Sequence, residues 1–140
     1  MNRHIHIHKE TFKIAVIILL ISGILFGMYM SRMTYQLNFP QPQKIKRIVF
    51  VQKKASKKLT DQDMIADIVR VLQGKTTQQE SLNGVPFNVS QKVRLEFHLK
   101  FDRRSLYLYR KDHQYYIEEP YNGIYRLSGD EYNSIVRYLK

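Results

Sequence analysis

Cysteine is absent from all 140 residues. No disulfide, thiolate metal site or cysteine nucleophile is therefore open to this chain. A lipid-modified N-terminal cysteine is excluded for the same reason. Also missing are a glycine-rich phosphate loop and a serine in a nucleophile elbow. The set of nucleophile, base and orienting group that defines a catalytic site is unfilled. A non-enzymatic role is expected, with a peptidoglycan or phosphoryl hydrolase as the enzymatic outsider. No cofactor is implied.

Charge is missing from one long stretch. Ile14 to Met30 reads IAVIILLISGILFGMYM, bounded by Lys13 and Arg32. At about 1.5 Å of rise per residue it spans roughly 25 Å as a helix, near the ~30 Å of a bilayer core. The run exceeds the usual apolar region of a signal peptide, and its exit, FGMYMSRM, offers no small-residue cleavage site. A retained single-pass anchor over 14–31 is expected, following a cytoplasmic tail over 1–13. The close N-terminal flank holds Arg3, Lys9 and Lys13 against Arg32 on the other side. That asymmetry puts the N-terminus inside and the remainder outside the cell membrane. His4, His6 and His8 alternate in the tail. Histidine is a common metal ligand, but a short terminus with one nearby carboxylate, Glu10, is expected to bind metal adventitiously or not at all.

What is abundant is positive charge: 23 Lys and Arg against 12 Asp and Glu, a net of +11. Seven positive residues and no acid fall between Lys44 and Lys58: Lys44, Lys46, Arg47, Lys53, Lys54, Lys57 and Lys58. Close to a membrane exit, such a run suits anionic lipid or wall polymer. The competing reading is a solvated loop. Nucleic acid is not an expected partner of an outward-facing domain.

Ser31 to Gln43, with Pro40 and Pro42, reads as an extended linker over 32–43. One domain is expected over 44–140. Lys46–Gln52 is rich in β-branched residues and reads as a strand, followed by a basic loop. Thr60 to Gln73 reads as a helix, with Thr60 as cap, an apolar stripe of Ile65, Ile68, Val69 and Leu72, and Gly74 beyond its end. Lys75 to Ser90 has no period and exceeds common loop lengths, which hints at a role or a flap. Val93 to Phe101 alternates strictly as a half-buried strand. Strands at Ser105–Arg110, Gln114–Glu118 and Ile124–Leu127 follow, with Asn122-Gly123 as a hairpin signal. Ser128 and Glu131 form a capping box before a last helix. The order β-α-β-β-β-(β)-α predicts an α+β domain, mostly antiparallel, with helices on one face.

The densest unusual segment is Tyr115 to Tyr125, YYIEEPYNGIY. Glu118 and Glu119 are adjacent on a strand, so they point to opposite faces and cannot share a substrate. With Tyr107 and Tyr109, this segment offers a candidate interaction surface of Tyr107, Tyr109, Glu118, Pro120, Tyr121, Asn122 and Gly123. Tyrosines supply rigid, amphipathic contact area. The alternative is that the rings pack across strands and under the last helix.

TDQDMIADIVRVL, ESLNGVP and YLYRKDHQYYIEEPYNGIYRL together resemble a family of small uncharacterised proteins of Gram-positive bacteria, known only as a domain of unknown function. The most specific part is Tyr116, Ile117, Glu118, Pro120, Tyr121, Gly123, Ile124 and Tyr125. The resemblance covers roughly Lys44 to Lys140. It implies a small domain behind an N-terminal anchor or lipoprotein signal, and this chain departs by lacking the lipoprotein cysteine. Two function classes remain: a membrane-anchored interaction, sensor or accessory domain with an envelope-protein partner, and a binder of anionic polymer or lipid.

Overall fold

The computed structural model describes residues 2–30 and 33–140, without the side chains of residues 2–8 and 10. The chain divides into two units, Met1–Met33 and Thr34–Lys140.

The first unit is helix α1, Asn2–Met30. It begins well before the apolar run, so the expected tail is helical backbone. Its stretch Thr11–Met30 is long and apolar enough to cross a membrane, as an anchor or as a signal sequence. The side chains of His4, His6 and His8, with the metal reading they prompted, lie outside the described residues, as do Ser31 and Arg32.

The second unit holds strands β1 (Tyr35–Gln36), β2 (Ile45–Gln52), β3 (Ala55–Leu59), β4 (Thr76–Thr77), β5 (Ser90–Leu99), β6 (Arg103–Lys111), β7 (Gln114–Glu119) and β8 (Gly123–Leu127). Helices α2 (Gln62–Leu72) and α3 (Gly129–Val136) complete it. Six strands form one sheet in the order β3-β2-β5-β6-β7-β8, every pairing antiparallel. The expected α+β layout is the one observed.

Alternation decides the two faces. Ile48 pairs with Phe97, Phe50 with Leu95, Leu95 with Leu106, Leu108 with Ile117 and Ile117 with Tyr125. These side chains share one face and are buried with Ile65, Ile68, Leu72, Tyr132 and Ile135 of the helices. Tyr115 stacks on Tyr132 at 4.1 Å between ring centroids. Tyr115, Tyr125 and Tyr132 thus pack inward. The Ser128–Glu131 capping box is formed, and Lys75 bonds the Glu131 carboxylate at 2.6 Å. Burial pushes that carboxyl up, but the bonds from Lys75 and Ser128 outweigh it and hold it below the ordinary value.

Several expectations need correction. The segment 34–43 is not a free linker. Its β1 pairs with β4, Leu37 is fully buried, and Phe39 packs on Phe97 with centroids 4.9 Å apart. Its apolar residues fill the end of the core, which composition with two prolines did not reveal. The basic loop after β2 is a hairpin: Lys53 turns at φ +52 and β3 returns along the sheet edge. The cap of α2 is Asp61, whose carboxylate accepts from the Asp63 and Met64 amides, rather than Thr60. Phe101 ends outside β5 and is exposed. Asn122-Gly123 is not the centre of the last hairpin. Pro120 and Tyr121 are, closed by the Asn122 N–H on the Glu119 carbonyl at 3.1 Å, with Tyr121 at φ +59.

Candidate functional site

The second face of the main sheet presents Val49, Arg94, Glu96, Tyr107, Tyr109, Tyr116, Glu118 and Ile124 by register. Among the described residues no helix covers it. The chain from Glu80 to Val89 does so as a strap. Its start is fixed by backbone bonds: the Ile124 N–H donates to the Gln79 carbonyl at 2.9 Å and the Ser81 N–H to the Asn122 carbonyl at 3.3 Å. These bonds add the strap to the free edge of β8, which is why a segment without period is held.

Below the strap lies a buried polar knot. The Ser81 hydroxyl donates to Glu118 Oε1 at 2.6 Å, and the Tyr109 hydroxyl donates to Glu118 Oε2 at 2.9 Å. Ser81 and Glu118 are buried. A carboxylate taken from water at this depth is tolerated because both oxygens accept charge-assisted bonds. Burial first, then the bond to Glu118, raises the Tyr109 phenol well above its usual range. Tyr109 therefore stays a donor at neutral pH. The knot fixes the strap to the sheet. Glu119 points the other way, to Arg104 and Asn122, and Arg104 also bonds the Asn38 carbonyl and lies 4.5 Å over the Phe39 ring. The two carboxylates face apart, as strand geometry requires.

Pro86 is buried, whereas Leu82, Val85 and Phe87 are 73%, 51% and 84% exposed. Tyr121 is 75% exposed, and its hydroxyl lies 3.1 Å from where a Cβ on Gly84 would sit. Four large apolar side chains thus stand in water on or beside a fixed strap. Between strap and sheet a cavity of about 220 Å³ is lined by Asn83, Pro86, Phe87, Tyr109, Glu118 and Ile124.

The expected interaction surface is therefore corrected in part. Tyr107, Tyr109 and Glu118 are buried under the strap, Gly123 is buried against Thr77, and Pro120 and Asn122 are half-buried. Tyr121 alone of that set is exposed. Sequence reasoning missed Ser81, Leu82, Val85 and Phe87. The available signal was an over-long loop holding four apolar residues, Leu82, Val85, Phe87 and Val89, with no period.

The seven basic residues do not form one patch. Lys44 and Lys46 sit at one end of β2, Lys53 and Lys54 at the other, and Lys57 and Lys58 on the edge strand β3. Arg47 turns to the second face, 3.3 Å from His98 Nδ1. His98 also approaches Glu96 at 3.4 Å, and His113 lies in the β6–β7 turn. Among the described residues no three His, Asp or Glu side chains are grouped to hold a metal.

These elements define a class: a small α+β domain with helices on one sheet face and a strap on the other, following an apolar helix. Residues 33–126 match the model of DUF5301, described as a domain of unknown function, and the chain belongs to this family. The match begins where the folded unit begins, at the segment with β1. A solved structure, the NMR structure of a protein from Ruminococcus gnavus, shares the fold with a TM-score of 0.58 at 22% identity. The similarity covers 69% of this chain and 98% of that one. No curated protein matches the chain.

Proposed function

We propose that this chain is a membrane-anchored, non-catalytic interaction domain that binds another envelope protein through the strap and Tyr121. The N-terminal helix is its retained anchor, and the domain lies on the outer side. The flanking charge asymmetry and the missing cleavage site support that placement, and a Gram-positive envelope fits a small domain without disulfides. The observation that carries the binding role is the exposure of Leu82, Val85, Phe87 and Tyr121 around a strap pinned by a buried carboxylate. Exposed apolar side chains on a fixed strap favour a partner surface, since water contact costs about 25 cal/mol per Å² that a partner recovers. The anionic-polymer reading gains less support, because its seven cations are spread over both ends of β2 and an edge strand.

A photo-crosslinking amino acid in place of Phe87, in cells of the source organism, tests this. A discrete adduct that Leu82→Ser and Val85→Ser abolish is expected. The same probe in place of Asp130, on α3, should give none. Equal labelling at both positions, or none at Phe87, removes the reading. A reporter fused after Lys140 reads the side of the membrane independently.

A further inference from the structure

The two ends of the sheet carry different turns. At one end are the β5–β6 turn, Lys100–Asp102, the start of β2 and the β7–β8 turn. At the other are the Lys53-Lys54 and Asp112-His113 turns. Phe101 is 89% exposed, more than any other large apolar residue described. Lys100 Nζ stands 5.0 Å from its ring centroid. Lys44, Lys46 and Leu99 join them around an open groove of about 520 Å³. The one acid there, Asp102, turns its carboxylate to the Arg103 amide at 2.7 Å. The far turns hold no phenylalanine or tyrosine.

The aromatic end is also where the chain enters the domain. Phe39 packs on Phe97, Asn38 accepts from Arg104, and Ile45 pairs with Leu99 next to the turn. Tyr35 follows Met30 by five residues, at most about 18 Å of extended chain. The opposite end lies a β5 length away, about 33 Å for its ten residues. An exposed ring bordered by lysines matches the headgroup layer of an anionic bilayer: the ring sits at the acyl boundary and the ammonium groups meet phosphate.

We propose that the β5–β6 turn docks on the anionic membrane surface, with Phe101 at the headgroup–acyl boundary and Lys44, Lys46 and Lys100 on lipid phosphates. This rests on the reading of α1 as an anchor, and it sets which end of the domain meets the bilayer.

The chain contains no tryptophan, so Phe101→Trp is a lone reporter. The full chain carrying it is reconstituted into phosphatidylglycerol–phosphatidylcholine vesicles, and flotation is scored alongside fluorescence. The expected result is co-flotation, emission shifted to shorter wavelength, and quenching by lipids brominated near the headgroup. Replacing Lys44, Lys46 and Lys100 by Gln, or raising salt to about 0.5 M, should largely reverse the shift through lost charge and screening. The His113→Trp reporter should remain unquenched. A chain that floats while the Phe101→Trp reporter stays water-exposed, or while the His113→Trp reporter is the quenched one, overturns the docking and leaves the anchor intact. A chain that does not float overturns both. A shift equal on pure phosphatidylcholine overturns the role of the lysines.

Discussion

The two faces of one sheet are covered by different means. On one, two amphipathic helices bury Ile48, Phe50, Leu95, Phe97, Leu106 and Leu108. On the other, a strap without regular structure is seated on Pro86 and on a Ser81–Glu118–Tyr109 knot. The first cover is apolar and non-directional, and its energy scales with area removed from water. The second is a few directional bonds to one buried charge. An apolar cover uses up its hydrophobic side chains. The strap is held by polar atoms, so Leu82, Val85 and Phe87 are left outward. Stability and display are thus divided between faces.

Neighbouring residues on β2 test that division most strongly. Phe50 lies under the helices and Val49 on the strap side. Phe50→Ala should cost about 3–5 kcal/mol, enough to unfold much of a small domain, whereas Val49→Ala should cost about 1 kcal/mol or less. Urea unfolding of residues 33–140 measures both. Similar losses at the two positions would show that the strap face is a second core.

The division was only half legible in the sequence. Strict alternation in Val93–Leu99 and the i, i+3, i+4 stripe of α2 announced the helix-covered face, because burial on one side leaves a period. Capping at Ser128 was equally plain, since the S-x-x-E spacing is local. The strap left no period, because its contacts are made by backbone edges and by Ser81 meeting a glutamate 37 residues away. Tyr107 and Tyr109 were misread as exposed for the same reason: alternation says which residues share a face, not whether a distant loop covers it. The β1 segment was misread because two-residue strands fall below any repeat.

The knot itself comes next in expected size. Glu118→Gln keeps the shape but gives the two hydroxyl donors a single acceptor oxygen. Leaving a buried donor short costs about 1–3 kcal/mol. The loss should be local: amide hydrogen exchange of residues 81–89 should speed up, while β5 and β6 keep their protection. Uniform loss of protection would mean that the knot supports the whole sheet and that the two faces are not separable.

The smallest effect decides where Tyr121 belongs. A bulky residue at φ +59 costs on the order of 1 kcal/mol or more that glycine would avoid. Tyr121→Gly relieves that strain, gives back up to about 1 kcal/mol through its freer unfolded chain, and removes the ring from Gly84. If Tyr121 serves display, stability should hold or rise by up to about 1 kcal/mol while crosslinking from position 87 falls. Tyr121→Phe should keep both the strain and the crosslink, because the ring remains. If instead the ring braces the strap, Tyr121→Gly should lower stability and loosen residues 81–89 as Glu118→Gln does. Thermal unfolding and exchange on these two variants therefore assign the exposed ring either to the display or to the support beneath it. A tyrosine that stays strained where glycine folds at least as well would mark a contact residue, whereas one whose removal loosens residues 81–89 would mark a brace.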